Sequence, residues 1–226
     1  MPTVDQVLSE LSAQANPDNA AGMARYAIGS GRVLGVKIPT LRTMAKTIGK
    51  DHKLALALWA TDVHEARLLA CFIDDPEQVT EAQMEAWAAD FASWDICDQC
   101  CSNLFDRTPW AYDKAVAWTA REPEFVKRAG YVLMAALAVH DKKVDDSVFA
   151  AFLPHIVAGA DDPRNFVKKA VNWALRQIGK RSHALNAQAL ATVDAIVRRD
   201  TPTARWIAND ARRELTDPKT VARIKR

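Results

Sequence analysis

Glycine and proline are scarce in this sequence, with 8 and 10 among 226 residues. A fold of many short strands needs turn residues every roughly 8–12 positions, so an all-β sandwich or barrel is excluded. No apolar run approaches the roughly 18 residues of a membrane-spanning helix. The first fifteen residues interleave Asp5, Gln6, Ser9 and Glu10 with scattered apolar side chains, unlike the charged start and apolar stretch of a secretory leader. Only four cysteines are present, and three of them (Cys97, Cys100 and Cys101) lie within five positions. That is no disulfide framework, and the expected home is the cytoplasm. A Walker-type loop, a glycine-rich dinucleotide turn and a nucleophile elbow are all missing from the sequence. Their absence sets aside most nucleotide-driven enzymes and the α/β-hydrolases.

What is abundant is helical pattern, on a chain that is 49% hydrophobic. Val4, Val7, Leu8 and Leu11 open a first helix over 3–15, at the spacing of one helix face. Asn16-Pro17 starts a second through Met23, Tyr26 and Ala27, which Gly29-Ser30-Gly31 is expected to end. Pro39 marks the first turn of a third, through Ile48. Further helices are expected over 54–59, 64–73, 80–91, 93–105, 109–120, 123–139, 145–158, 163–180, 182–199 and 202–215, followed by a short basic tail over 216–226. The expected fold is all-α, a single domain spanning 1–226.

The balance of 30 Lys+Arg against 28 Asp+Glu conceals a division. Residues 1–120 carry 10 cations and 16 carboxylates, and residues 121–226 carry 20 and 12. Such a split points to a polyanionic partner for one region. The basic half also echoes itself. Phe125-Val-Lys127-Arg128-Ala matches Phe166-Val-Lys168-Lys169-Ala 41 residues later, and Arg205 in Ala-Arg-Trp206 gives a weaker third copy. A period near 40 residues, one helix pair each, is the signature of a HEAT-like solenoid, an α-α superhelix with a concave binding surface, with a generic helical bundle as the alternative. A basic groove is expected there.

Two segments carry chemistry. Over 163–180, Val167, Val171, Ala174 and Ile178 form one apolar stripe, while Lys169, Trp173, Arg176 and Lys180 repeat the spacing about 200° round the helix. A tryptophan among cations suits phosphates with a base or sugar, although Trp173 packed against a neighbouring helix would show the same pattern. In Ser93-Trp94-Asp95-Ile96-Cys97-Asp98, Ser93 is the natural N-cap. Trp94 and Asp98 then share a face one turn apart. The helix dipole accounts for Asp95 but not for Asp98. Cys97-x-x-Cys100-Cys101, with Cys71, has metal-like spacing. Adjacent cysteines diverge by about 100° on a helix, so buried free thiols are the better reading and no metal site is expected.

Five motifs occur in order: Asn16-Pro-x4-Met23-Ala-Arg-Tyr26, Leu34-Gly-Val-Lys37-x-Pro39-x-x-Arg42, Ser93-Trp94-Asp-x-x-Asp98, Phe125-Val-Lys-Arg128-Ala and Lys169-Ala-x-x-Trp173-x-Leu-Arg176. Together, over about residues 3–215, they resemble the AlkD-type DNA alkylation repair enzymes. The resemblance implies a HEAT-like repeat fold and a monofunctional DNA glycosylase that removes N3- and N7-alkylated purines from double-stranded DNA. It places the family's active-site Trp, Asp and second Trp at Trp94, Asp98 and Trp173, its groove arginine at Arg128, and a backbone-proximal tyrosine at Tyr26. Ser93-Trp94 stands where a family member has paired tryptophans, and Lys37 where it has Gln.

The implied chemistry needs no metal or nucleotide cofactor. A cationic alkylpurine leaves without a general acid, because departure neutralises its charge, and the sugar becomes oxocarbenium-like. A carboxylate at Asp98 would stabilise that cation and hold the attacking water. Trp94 and Trp173 would offer aromatic faces, each contributing about 0.5–2 kcal/mol. The family holds the lesion in the duplex rather than flipping it into a pocket. Lys37, Lys127, Arg128, Lys168, Lys169, Arg176 and Lys180 are then candidates for DNA contact. A non-catalytic repeat protein that binds bent or branched DNA is the alternative; in either case a monomer without a membrane partner is expected.

Overall fold

The computed structural model describes residues 2–28 and 31–224. Gly29 and Ser30, expected to end the second helix, and the last two residues of the basic tail lie outside the described residues. The chain divides into two compact units, Met1–Pro109 and Trp110–Arg226. Among the described residues both are built from helices, with one isolated bridge between Arg32 and Val63.

The first unit holds α1 (Val4–Ala13), α2 (Pro17–Ala24), α3 (Ile38–Ile48), α4 (His52–Trp59), α5 (His64–Ile73), α6 (Glu81–Ala89) and α7 (Trp94–Asn103), then a 3₁₀ turn over Phe105–Arg107. Local chemistry sets the starts. Thr3 and Gln6 form a reciprocal capping box on α1, Asn16 caps α2 ahead of Pro17, and Asp51 and Thr80 cap α4 and α6. Each cap satisfies an amide that the helix cannot. The α2 helix stops at Ala24, so Tyr26 and Ala27 belong to the following turn rather than to the helix. The core joins α3, α4, α5 and α7, with the Trp59 and Trp87 rings stacked at 4.0 Å.

The second unit holds α8 (Ala111–Ala117), a 3₁₀ turn over Trp118–Ala120, α9 (Glu124–His140), α10 (Asp146–Ala150), α11 (Leu153–Gly159), α12 (Asn165–Gly179), α13 (His183–Val197), α14 (Pro202–Leu215) and α15 (Pro218–Val221). The segment expected as one helix over 145–158 is two. Pro154 lacks the N–H that a helix interior requires, and it sits instead in the first turn of α11. The tail contains the short α15, capped by Asp217.

Helices α9, α12 and α14 pack successively, with α11 and α13 alongside. The echo places equivalent residues in contact: the Phe125 and Phe166 rings lie 5.4 Å apart. Arg164 donates to the Glu122 carbonyl at 2.6 Å. The third layer follows at an offset of 38, with Asn172 donating to Asp210 at 2.7 Å and the Lys168 ammonium 4.6 Å above the Trp206 ring. Arg205, expected as the third basic copy, instead turns back to Asp200 at 2.6 Å. Arg181 ties the far side together. It donates to the Val144 carbonyl at 2.7 Å and to Asp146 at 2.9 Å while stacking on Phe149.

Candidate nucleic-acid interface

In the first unit, the turn after α2 and the start of α7 meet. The Trp94 indole N–H donates to the Tyr26 carbonyl at 2.9 Å, which fixes the half-buried indole, while the Tyr26 ring is 69% exposed. A cavity of about 590 Å³ opens beside them, flanked by Met23, Val36 and Lys37. Asp98 follows one turn along α7, half-buried.

Asp95 has a different fate. It is buried, accepts from Ser93 Oγ at 2.7 Å and meets His64 Nε2 at 2.8 Å. Ser93 does occupy the N-cap position, but its hydroxyl serves Asp95 and makes no capping bond. The helix dipole was therefore an incomplete account of Asp95. A carboxylate only accepts, so Nε2 donates to Asp95; Nδ1 is buried with no partner among the described residues. Burial alone would raise the Asp95 pKa, but the His64 and Ser93 hydrogen bonds and the His64 charge outweigh it and hold the value below the ordinary aspartate range. A depressed folded value stabilises the fold fully above the unfolded pKa of about 3.9, and the gain is lost as pH falls through the folded value. Asp95→Asn is therefore expected to flatten the acid limb of a stability-versus-pH curve measured by urea unfolding between about pH 5 and 2. An unchanged limb would refute this role.

The neighbouring residue Glu65 is fully buried. Its carboxylate accepts from the backbone amides of Leu34, Gly35 and Val36 at 2.9, 2.6 and 3.3 Å. That loop delivers Lys37 to the head of α3. Gly35 has φ +77° there, and a Cβ would collide with the Asn16 carbonyl.

The four cysteines are buried thiols outside any disulfide. Among the described residues no His, Cys, Asp and Glu side chains gather into a metal-holding group. Burial pushes the Cys100 and Cys101 thiols well above their ordinary pKa, helped by Cys71 at the first and by Cys97 and Asp98 at the second.

In the second unit, Trp173 is half-buried on α12. With the Gln177 amide oxygen turned toward them, the Trp173 indole N–H and the Lys180 ammonium donate to it at 3.0 and 3.3 Å. Arg176 and Lys180 both bind Glu214 on α14. Burial would raise the Glu214 pKa, but these two cations lower it on balance. Lys127 approaches Asp162 at 3.4 Å, beside the tighter Arg164–Asp162 pair. Arg128 is only 6% exposed and donates to the Phe166 carbonyl at 2.6 Å, so it braces α9 against α12. Lys169 is exposed, with no partner among the described residues.

A family model described as "DNA alkylation repair enzyme" matches residues 7–215. The chain belongs to this family. Among solved structures it is similar to one described as "a new family of proteins related to the HEAT-like repeat DNA glycosylases with affinity for branched DNA structures". That match has 20% identity and a TM-score of 0.78, covering 94% of this chain and 95% of the other. A predicted DNA alkylation repair enzyme from Enterococcus faecalis matches at 18% identity and a TM-score of 0.63, covering 87% and 95%. A comparison with curated proteins gave no match. The fold of this family member is thus the HEAT-like repeat fold of the glycosylase-related proteins.

Within the family member's first unit, the structure brings Tyr26, Lys37 and Trp94 to one cavity. In its second, Trp173 and Lys180 share Gln177, and Arg176 shares Glu214 with Lys180. Sequence reasoning missed the His64–Asp95 and Glu65 supports. The only available signal was an adjacent pair of polar residues, His64-Glu65, at the start of a helix whose remaining residues are apolar apart from Arg67.

Proposed function

We propose that this DNA repair family member is a monofunctional glycosylase. It hydrolyses the bond between deoxyribose and a cationic N3- or N7-alkylated purine in duplex DNA, without drawing the base into a pocket. The observation that carries this reading is the construction of α7. Trp94 is pinned through its indole N–H to the Tyr26 carbonyl, and Asp98 stands one turn further along. The adjacent Asp95 is locked by His64 and Ser93. The first carboxylate anchors the start of the helix, and the second, half-buried one turn on, shares the face of Trp94.

In the reaction, the C1′–N bond breaks with its electron pair passing to the purine, which leaves neutral. Asp98 stabilises the positive charge that grows on the sugar and orients a water, whose oxygen bonds to C1′ as a proton departs. The Trp94 face lies against the sugar, and Trp173 supplies the second aromatic surface. Lys169 and Lys37, both exposed, are the simplest phosphate contacts of the original set. Lys127, Arg176 and Lys180 must exchange a carboxylate for a phosphate to serve in that role. Arg128 acts through the placement of α9 and α12.

A binding-only protein is the competing reading, supported by the fold shared with proteins described as having affinity for branched DNA. One assay separates the two. Duplex DNA methylated at purine N3 and N7 is incubated with the chain in the presence of chelator, and released bases are resolved by chromatography. Release of methylpurine is expected. Tight DNA binding with no release from any methylated duplex would overturn the glycosylase assignment.

A further inference from the structure

Many of the cations in residues 121–226 are paired within that half of the chain. Arg164, Arg176, Lys180, Arg181, Arg199, Arg205, Arg212 and Arg213 each face a carboxylate. The acidic first unit shows the opposite local arrangement. Arg42 and Lys46 stand one turn apart on one face of α3, and Lys50 follows just beyond its Gly49 cap. Together with Arg107 they line a cavity of about 310 Å³. No Asp or Glu lines it, and none of the four cations forms an ion pair with a carboxylate among the described residues.

Two of these cations are held by neutral groups. Arg42 donates to the Gln99 and Asn103 side-chain oxygens at 3.1 and 3.2 Å and lies over the Phe72 ring at 4.6 Å. Lys50 donates to the Phe72 and Asp74 carbonyls at 3.3 and 2.5 Å. Backbone carbonyls and amides orient a cation without neutralising it, so the charge remains available to a ligand. The Lys50 ammonium is accordingly less basic than usual, through burial first and the nearby Arg107 charge second, although Asp74 and Asp75 act in the other direction.

Four cations converge on a small recess that no carboxylate lines, with Asp74 and Asp75 acting on Lys50 from outside it, so an anion entering the recess meets a net positive charge. We infer that this cavity is a phosphate-binding site, and, resting on the glycosylase reading above, that the phosphate belongs to the DNA backbone. The location fits that source. Arg42 is bonded to Asn103, which lies five residues beyond Asp98 on α7, about 7 Å along the helix axis. A backbone phosphate seated here would hold the strand alongside the helix that carries Asp98. The contact is independent of sequence, as phosphate contacts are.

The test uses the full chain carrying Lys46→Gln and Arg107→Gln. Both residues are exposed, and circular dichroism checks that the fold is kept. Binding to unmodified duplex is measured across salt concentrations. The double variant is expected to bind roughly tenfold more weakly, with the slope of log K against log salt reduced by about 1 per phosphate lost. In a second arm, inorganic phosphate is titrated against the thermal unfolding of both proteins without DNA. Stabilisation of the parent alone, with DNA affinity unchanged, would keep the phosphate site and assign it to a free phosphate. An unchanged slope together with no response to phosphate would overturn the inference. If the parent binds no duplex at all, the glycosylase reading fails, and the phosphate titration alone decides the cavity.

Discussion

Asp98→Asn is expected to slow methylpurine release by about 10²–10³-fold, the loss seen when one preorganised charge-stabilising group is removed from a transition state. The substitution is nearly isosteric, so the half-buried position on α7 stays filled. What disappears is the negative charge facing the developing oxocarbenium ion. The leaving base cannot compensate, since its own positive charge is already used in departure. Affinity for methylated duplex is expected to stay within about threefold, because removing an interaction made chiefly in the transition state lowers turnover rather than binding. Single-turnover release kinetics and a binding isotherm on the same substrate give both quantities. Release at the parent rate would remove Asp98 from the mechanism.

Glu65→Ala should cost about 3–5 kcal/mol of folding stability, since three buried amides lose one charged acceptor, at about 1–3 kcal/mol for each donor left unsatisfied. The carboxylate is fully buried and satisfies three successive amides, those of Leu34, Gly35 and Val36. Alanine leaves all three donors in a space with no replacement acceptor, each a desolvated group. Glu65→Gln offers one acceptor oxygen and turns an NH₂ group toward the remaining donors, so it is expected to recover only part of the loss. Urea unfolding of the three proteins orders them. A loss below about 1 kcal/mol for the alanine variant would show that the loop supports itself. The loop delivers Lys37 and borders the cavity beside Trp94, so DNA affinity is expected to fall with stability.

Most of the helical framework is legible in the chain, because local chemistry decides it. Pro39, Thr201-Pro202 and the apolar run from His64 place the starts of α3, α14 and α5 where they are found. Pro154 was equally visible, but the apolar spacing on both sides of it read as continuous. The shared face of Trp94 and Asp98 also follows from spacing alone. Charge pairing does not, because it depends on residues brought together from separate elements. Arg176 and Lys180 look like free groove cations until Glu214 arrives from 38 and 34 residues away. Arg128 looks like a surface contact until α12 covers it. His64 and Asp95 meet across 31 residues with nothing in either segment to announce it. Averaging over each half of the chain likewise concealed Arg42, Lys46 and Lys50, whose shared cavity, lined by no carboxylate, exists only in three dimensions.

The buried cysteines have a consequence for a protein of this family. Thiolates react with the same electrophiles that alkylate purines, and they do so as anions. Here all four sulfurs are withdrawn from solvent, and burial keeps Cys100 and Cys101 protonated on the very helix that bears Trp94 and Asp98. Each of the chain's four cysteine thiols is thus buried away from the agents whose damage its family repairs. Its packing doubles as chemical shielding, and α7 can persist unmodified in a cell where DNA does not.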